Sequence, residues 1–191
     1  MDKNFFSKIL ADHQNYVKLR EKVINLSRKV LKLSKQSIFM LHRDDIEEAK
    51  KLQDDAEKIL KEINSFFARE KKLEFEGSYR ECSEEFIEAN LFYGFIKNNE
   101  VGLDTKIKFS FDDYLGGVSD LTGELLRKAI QLATRGEYKQ LETYHQAMEN
   151  ILGELIKHDF TGKLRMKYDA AKRNLKRMEE VMYEIKIKGL K

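Results

Sequence analysis

The sequence contains no proline, no tryptophan and one cysteine in 191 residues. Without proline, nothing of that kind interrupts a long helix. A single Cys82 excludes an internal disulfide and fits a reducing cytoplasm, where the chain is expected to reside. No apolar run approaches the roughly 18 residues that a membrane span needs, and the N-terminus lacks a signal-peptide pattern. No membrane association is expected. There is no internal repeat, low-complexity segment or domain linker. What is present is charge, at 36% of residues, set against 41% hydrophobic residues, with a net charge of only +3. This is the composition of long, exposed, amphipathic helices. The length suits one domain over residues 1–191. A core built from such helices is narrow, so burial by oligomerisation is expected. The abundance of Lys and Glu is also a weak mark of a thermophile.

The periodicity predicts helix after helix. Val23, Leu26, Val30 and Leu33 form an amphipathic seam. Residues 14–43 carry eight Lys or Arg against one acid, Glu21. The first long helix therefore bears a basic stripe, in which Lys18, Lys22, Arg28, Lys29, Lys32 and Lys35 are candidate phosphate contacts. A solvated face is the other reading of the same stripe. Asp44 and Asp45 read as the cap of a second helix reaching about residue 71. Ser78 reads as the cap of a third, running to about Lys97. Residues 98–110 read as an extended connection, since a lone strand at 107–111 would have no partner. Further helices are expected over about 112–134, ended by Gly136, and over about 137–158 and 161–188. The expected fold is all-α, a bundle of about six to seven long helices that oligomerises.

Two runs place carboxylates where an amphipathic helix should not want them. In SEEFIEANLFYGFI (residues 83–96), Glu85 and Glu88 share a face that continues to Phe92 and Phe95. In DYLGGVSDLTGELLR (residues 113–127), Asp120 and Glu124 lie one turn apart. Buried acids need a counter-charge or a metal, and Mg²⁺ or Mn²⁺ prefers such hard oxygen ligands. Gly116, Gly117 and Gly123 each cost helicity, about 1 kcal/mol relative to Ala. Close helix approach would account for them, and so would room for a phosphate backbone. Arg127 could bind a phosphate or pair with Glu124. Glu81 and Glu84 read as surface charge. His13, His42, His145 and His158 show no ligand spacing and read as surface residues. Cys82 reads as a buried structural thiol, and the aromatics of the third helix read as core.

These two runs, together with the tail LRMKYDAAKRNLKRMEEVMYEIKIKGL (residues 164–190), resemble the translin/Trax family of helical nucleic-acid-binding proteins. The acidic runs are nearer Trax, and the tail is nearer translin. The resemblance implies a metal-dependent endoribonuclease acting on single-stranded RNA. Glu85, Glu88 and Asp120 match the catalytic acids of the Trax motif, with Glu124 helping to hold the metal. Water activated by that ion would be the nucleophile. The chain is shorter than Trax, with no long N-terminal basic extension and a brief 98–110 connection. Mixing both characters, it is expected to form a homo-oligomer, with a translin-like partner subunit as the other arrangement. The alternative activity is that of translin: single-stranded RNA or DNA binding without catalysis.

Overall fold

The first helix, α1 (Lys3–His42), runs for 40 residues, about 60 Å at 1.5 Å per residue. The Asp2 carboxylate caps it, accepting from the backbone N–H groups of Asn4 and Phe5. The structure, a computed structural model, describes residues 2–189; Leu190, the last residue of the tail motif, lies outside them. Five more helices follow: α2 (Ile46–Phe67), α3 (Gly77–Asn98), α4 (Phe111–Thr134), α5 (Leu141–Leu155) and α6 (Gly162–Ile187). Short 3₁₀ turns cover Lys71–Phe75 and Tyr138–Gln140. Among the described residues there is no strand.

The core face of α1 alternates Val23, Val30, Ile38 and Leu41 with the fully enclosed Ser27, Ser34 and Ser37. Such small side chains let neighbouring helices approach closely. Ser37 Oγ donates to the Ala49 carbonyl on α2, while Gln53 Nε2 donates to Ser37 Oγ and to the Ala89 carbonyl on α3. Three helices are thus tied by one buried polar chain.

The core forms two apolar clusters, and α3 contributes to both. Tyr79, Cys82 and Phe86 pack with α1, α2 and Ile107. Ile87, Leu91, Phe92 and Phe95 pack with α4, α5 and α6. This central helix is therefore covered on nearly every side. The 98–110 segment is an extended connection, as its sequence implies. It is pinned by the Asp104 N–H on Asn90 Oδ1 and by Thr105 Oγ1 on Glu57.

Several boundaries differ from the sequence reading. Asp45 alone caps α2, accepting from the Glu48 N–H. Asp44 adopts a left-handed φ of 64° and instead pairs with Lys128 on α4 and with Arg135 at its C-terminal cap. Ser78 lies inside α3, which starts at Gly77 with no side-chain cap. The predicted end of α2 at about residue 71 falls in the 3₁₀ turn, and α5 begins at Leu141 because another such turn precedes it.

Gly116 and Gly117 mark the approach of α4 to α3. A Cβ at Gly117 would lie 2.7 Å from Ile87 Cγ2 and 2.9 Å from the Glu84 carbonyl oxygen. One at Gly116 would lie 3.1 Å from Glu84 Cδ. Close helix packing accounts for both glycines. Gly123 is looser, its nearest neighbour being Asn174 Nδ2 at 3.6 Å. In chemical denaturation, Gly117→Ala should lose about 1–3 kcal/mol, since the obstacles are backbone and a branched side chain. Gly153→Ala on α5, with nothing within 4 Å, should gain up to about 1 kcal/mol. Equal effects at the two positions would refute the packing account.

Candidate metal centre and basic face

Where α4 crosses α3, the acids of both helices meet. Glu88 is only 8% exposed. Among the described residues it has neither a salt bridge nor a hydrogen bond. Burial is the main cause that pushes its carboxyl well above the ordinary glutamate value of 4.5. The negative charges of Asp120, Glu85 and Glu124 add to this, and Lys167 relieves part of it. Glu85 is half-buried and shifted the same way, again chiefly by burial. Lys35 opposes that shift from 3.9 Å, while Asp120 and Glu124 reinforce it. All four predicted acids therefore share one electrostatic neighbourhood. They do not yet form a coordination sphere. Among the described residues, no three His, Cys, Asp or Glu donors are close enough to hold an ion as they stand. The two facts agree, because charges couple over longer distances than ligands do.

Some of the acidic oxygens are already engaged. Lys167 Nζ on α6 donates to Asp120 and lies 3.0 Å from Glu84. Glu84 also accepts from Lys163 at 2.6 and 2.8 Å. His42 Nε2 meets the Glu124 carboxylate, and Arg127 lies 3.7 Å from it. A carboxylate accepts only, so the ring donates Nε2–H and holds Glu124 in place. The backbone of His42 is held as well, while its ring Nδ1 is buried with no hydrogen-bond partner among the described residues. The buried Lys128, 2% exposed, donates to the carbonyls of Leu41 and His42 and to Asp44. This ammonium covers the last carbonyls of α1, where the helix dipole favours a cation.

Two residues read as surface groups are therefore buried parts of the site. Glu84 is enclosed by the α4 glycines and α6, one turn before Glu88 on the same face. His42 is 4% exposed because the end of α1 tucks against Phe92 and α4. Lys163 and Lys167 were not anticipated at all. Part of their signal was available: Lys163 in the first turn of α6 opposes its dipole and favours an acidic partner elsewhere, while nothing local marks Lys167. Cys82 is buried, and Glu81 is exposed.

Lys18, Lys22, Arg28, Lys29, Lys32 and Lys35 are all exposed on α1, opposite its core face. Arg28, Lys32 and Lys35 line a shallow groove of about 630 Å³ with Phe39. Phe39 also borders a second groove of about 400 Å³, lined by His42, Arg43, Arg127 and Arg135. A basic track thus passes directly beside the acids. Lys22 lies apart, its Nζ 5.3 Å from the Phe66 ring. A larger cavity, about 1020 Å³, lies elsewhere, between the 71–75 turn and the start of α4, and none of the four acids lines it.

The model of the Translin family matches residues 18–189. Mouse translin-associated protein X is 26% identical over 230 residues, which cover 98% of this chain and 78% of its own. An uncharacterised protein of Methanocaldococcus jannaschii is 28% identical over 175 residues, covering 88% of this chain and 76% of its own. Chicken translin matches locally, at 36% identity over 83 residues, 41% of this chain and 35% of its own. The crystal structure of AfC3PO superposes with a TM-score of 0.87 at 23% identity over the whole of both chains. The complex of AfC3PO with duplex RNA gives 0.88 at 21% identity, covering 95% of this chain and 96% of that one.

The crowding of acids has a pH consequence. A carboxyl raised in the folded state binds its proton more tightly there than in the unfolded chain. Stability contributed by protonated Glu88 is thus present below the unfolded value of about 4.5 and lost as pH rises through the higher folded value. In chelator-treated samples, Glu88→Gln should be more stable than the parent at pH 7. The difference should close towards pH 4. Denaturation curves with a pH-independent gap would contradict the burial account.

Proposed function

The chain belongs to the Translin family, and from that premise we propose that it is a metal-dependent endoribonuclease acting on single-stranded RNA. The observation that carries this reading is Glu88: a buried carboxylate without a counter-ion, set among three other acids beside a basic track. Glu85, Glu88, Asp120 and Glu124 would hold Mg²⁺ or Mn²⁺, for which an all-oxygen donor set is apt. Such an ion supplies Lewis acidity towards the phosphodiester and lowers the pKa of water. The chain's own residues do the rest. His42 orients Glu124. Lys35 and Arg127 flank the acids and present positive charge to the RNA backbone. Lys18, Lys22, Arg28, Lys29 and Lys32 extend that grip along α1. Phosphate contacts of this kind carry no base information.

AfC3PO, whose fold this chain shares, has been captured with duplex RNA. The preference for single strands proposed here comes from the family resemblance, and parallel assays on single- and double-stranded RNA separate the two. No helix of the described residues is long and apolar enough to cross a membrane. The buried thiol of Cys82 suits the cytoplasm in which we place this activity. Exposed apolar side chains on α1 (Phe5, Phe6, Ile9, Leu10) and α6 (Met166, Tyr183, Ile187) support assembly into a homo-oligomer or with a translin-like subunit. A light-scattering mass of 22.5 kDa at micromolar concentration would rule out the homo-oligomer.

A second reading is nucleic-acid binding without cleavage. The observation that favours it is the lysine already seated on Asp120.

Asp120→Asn separates the two. It is nearly isosteric, so fold and RNA affinity should persist, while cleavage should fall about a hundredfold or more. Parent cleavage should vanish with chelator and return with Mg²⁺ or Mn²⁺. Equal cleavage by parent and variant, indifferent to chelator, would exclude the metal-dependent enzyme. Separately, Lys29→Glu with Lys32→Glu should weaken RNA binding for all sequences alike. The slope of log affinity against log salt should fall by roughly 1.4. An unchanged slope would leave the stripe as solvated surface.

A further inference from the structure

Lys167 has no place in the function described above, yet it lies at the centre of the site. Its side chain is 16% exposed. Its Nζ is shared between Asp120 on α4 and Glu84 on α3. Burial alone would lower the ammonium's pKa, but the two carboxylates outweigh that and hold it above its ordinary value. Glu84 is nearly enclosed and carries a second ammonium, that of Lys163. Gly116 makes this possible, since any Cβ there would press on the Glu84 carboxyl group at 3.1 Å. One turn on, Glu88 is more than nine-tenths buried with no partner among the described residues, and Asp120 adds to the negative charge it faces. The cluster thus combines one acid lacking a cation with another whose oxygen a lysine has taken.

We propose that Lys167 is a resident counter-ion, whose ammonium occupies the Asp120 oxygen until a divalent cation binds, and that Glu84 is the berth to which it then withdraws. This rests on the reading of the four acids as a metal site. An ammonium and a divalent cation repel strongly at a shared oxygen, so one must yield. Lysine suits the task because its compact charge sits on a flexible four-carbon stem. It already touches Glu84, so withdrawal requires rotation of a side chain and no movement of a helix. Both lysines are positioning residues here, and only Lys167 touches a proposed ligand. Cation affinity is therefore set in part by the cost of moving Lys167. Glu84 lowers that cost.

The test is calorimetric titration of Mn²⁺ into chelator-stripped protein. Lys167→Gln should bind about fivefold or more tightly than the parent, a typical scale for coupled sites. Lys163→Gln removes the same charge from the same glutamate without touching Asp120, and should stay within about twofold of the parent. Glu84→Gln should bind more weakly, and that loss should largely disappear when combined with Lys167→Gln. In the unsubstituted protein, the ¹⁵N resonance of the Lys167 ammonium should move on saturation with Mg²⁺, a readout that does not depend on any variant folding. Equal tightening by Lys163→Gln and Lys167→Gln would reduce the effect to bulk charge and overturn the proposal. A Lys167 resonance unmoved at saturating Mg²⁺ would do the same. Absence of Mn²⁺ binding in the parent and in every variant would overturn the four-acid reading itself, and the proposal with it.

Discussion

The contact between Ile87 and Gly117 sets the spacing on which the site depends. It lets α4 lie against α3 with backbone near backbone. That closeness puts Asp120 and Glu124 within electrostatic reach of Glu85 and Glu88. Because α3 is wrapped by the rest of the bundle, Glu84 and Glu88 are nearly shut off from solvent. The stabilising work is done elsewhere, by the apolar faces of α3 on either side of the acids. The energetic cost of the cluster is therefore carried by Phe86, Phe92, Phe95 and their neighbours.

Around this contact the structure distributes counter-charge unevenly. α6 supplies Lys163 and Lys167, α1 supplies Lys35, and α4 supplies Arg127 to its own Glu124. Glu88 receives none of them directly. Deep burial combined with like charge is a common signature of sites that manage cations or protons. Here it falls on the helix that both apolar clusters enclose.

The helices were legible in the sequence because their period is strong and proline is absent. The acid pairs were legible because Glu85 and Glu88 are in phase with Phe92 and Phe95. The connection over 98–110 could be read from the lack of any strand partner. What stayed hidden depended on other helices. Glu84 looks like surface charge until Gly116 and Gly117 are seen to press α4 against it. His42 has no sequence neighbour that marks it as buried; Phe92 and Lys128, the latter 86 residues away in sequence, hold the end of α1 inward. Ser78 has the chemistry of a cap, but the chain enters α3 one residue earlier. Asp44 does too, yet its left-handed backbone sends the carboxylate to α4.

The first helix is anchored at one end only. Its last carbonyls are clasped by Lys128, and its serine-lined stretch is locked to α2 and α3. From Lys3 to Asn15, every residue is exposed. In the isolated chain, amide hydrogen exchange along this one helix should therefore span two regimes. Near the N-terminus, each N–H opens by local fraying. Beyond Val23, exchange waits on disruption of the core itself. A continuous rod of backbone hydrogen bonds would thus behave as a mobile arm joined seamlessly to a fixed post.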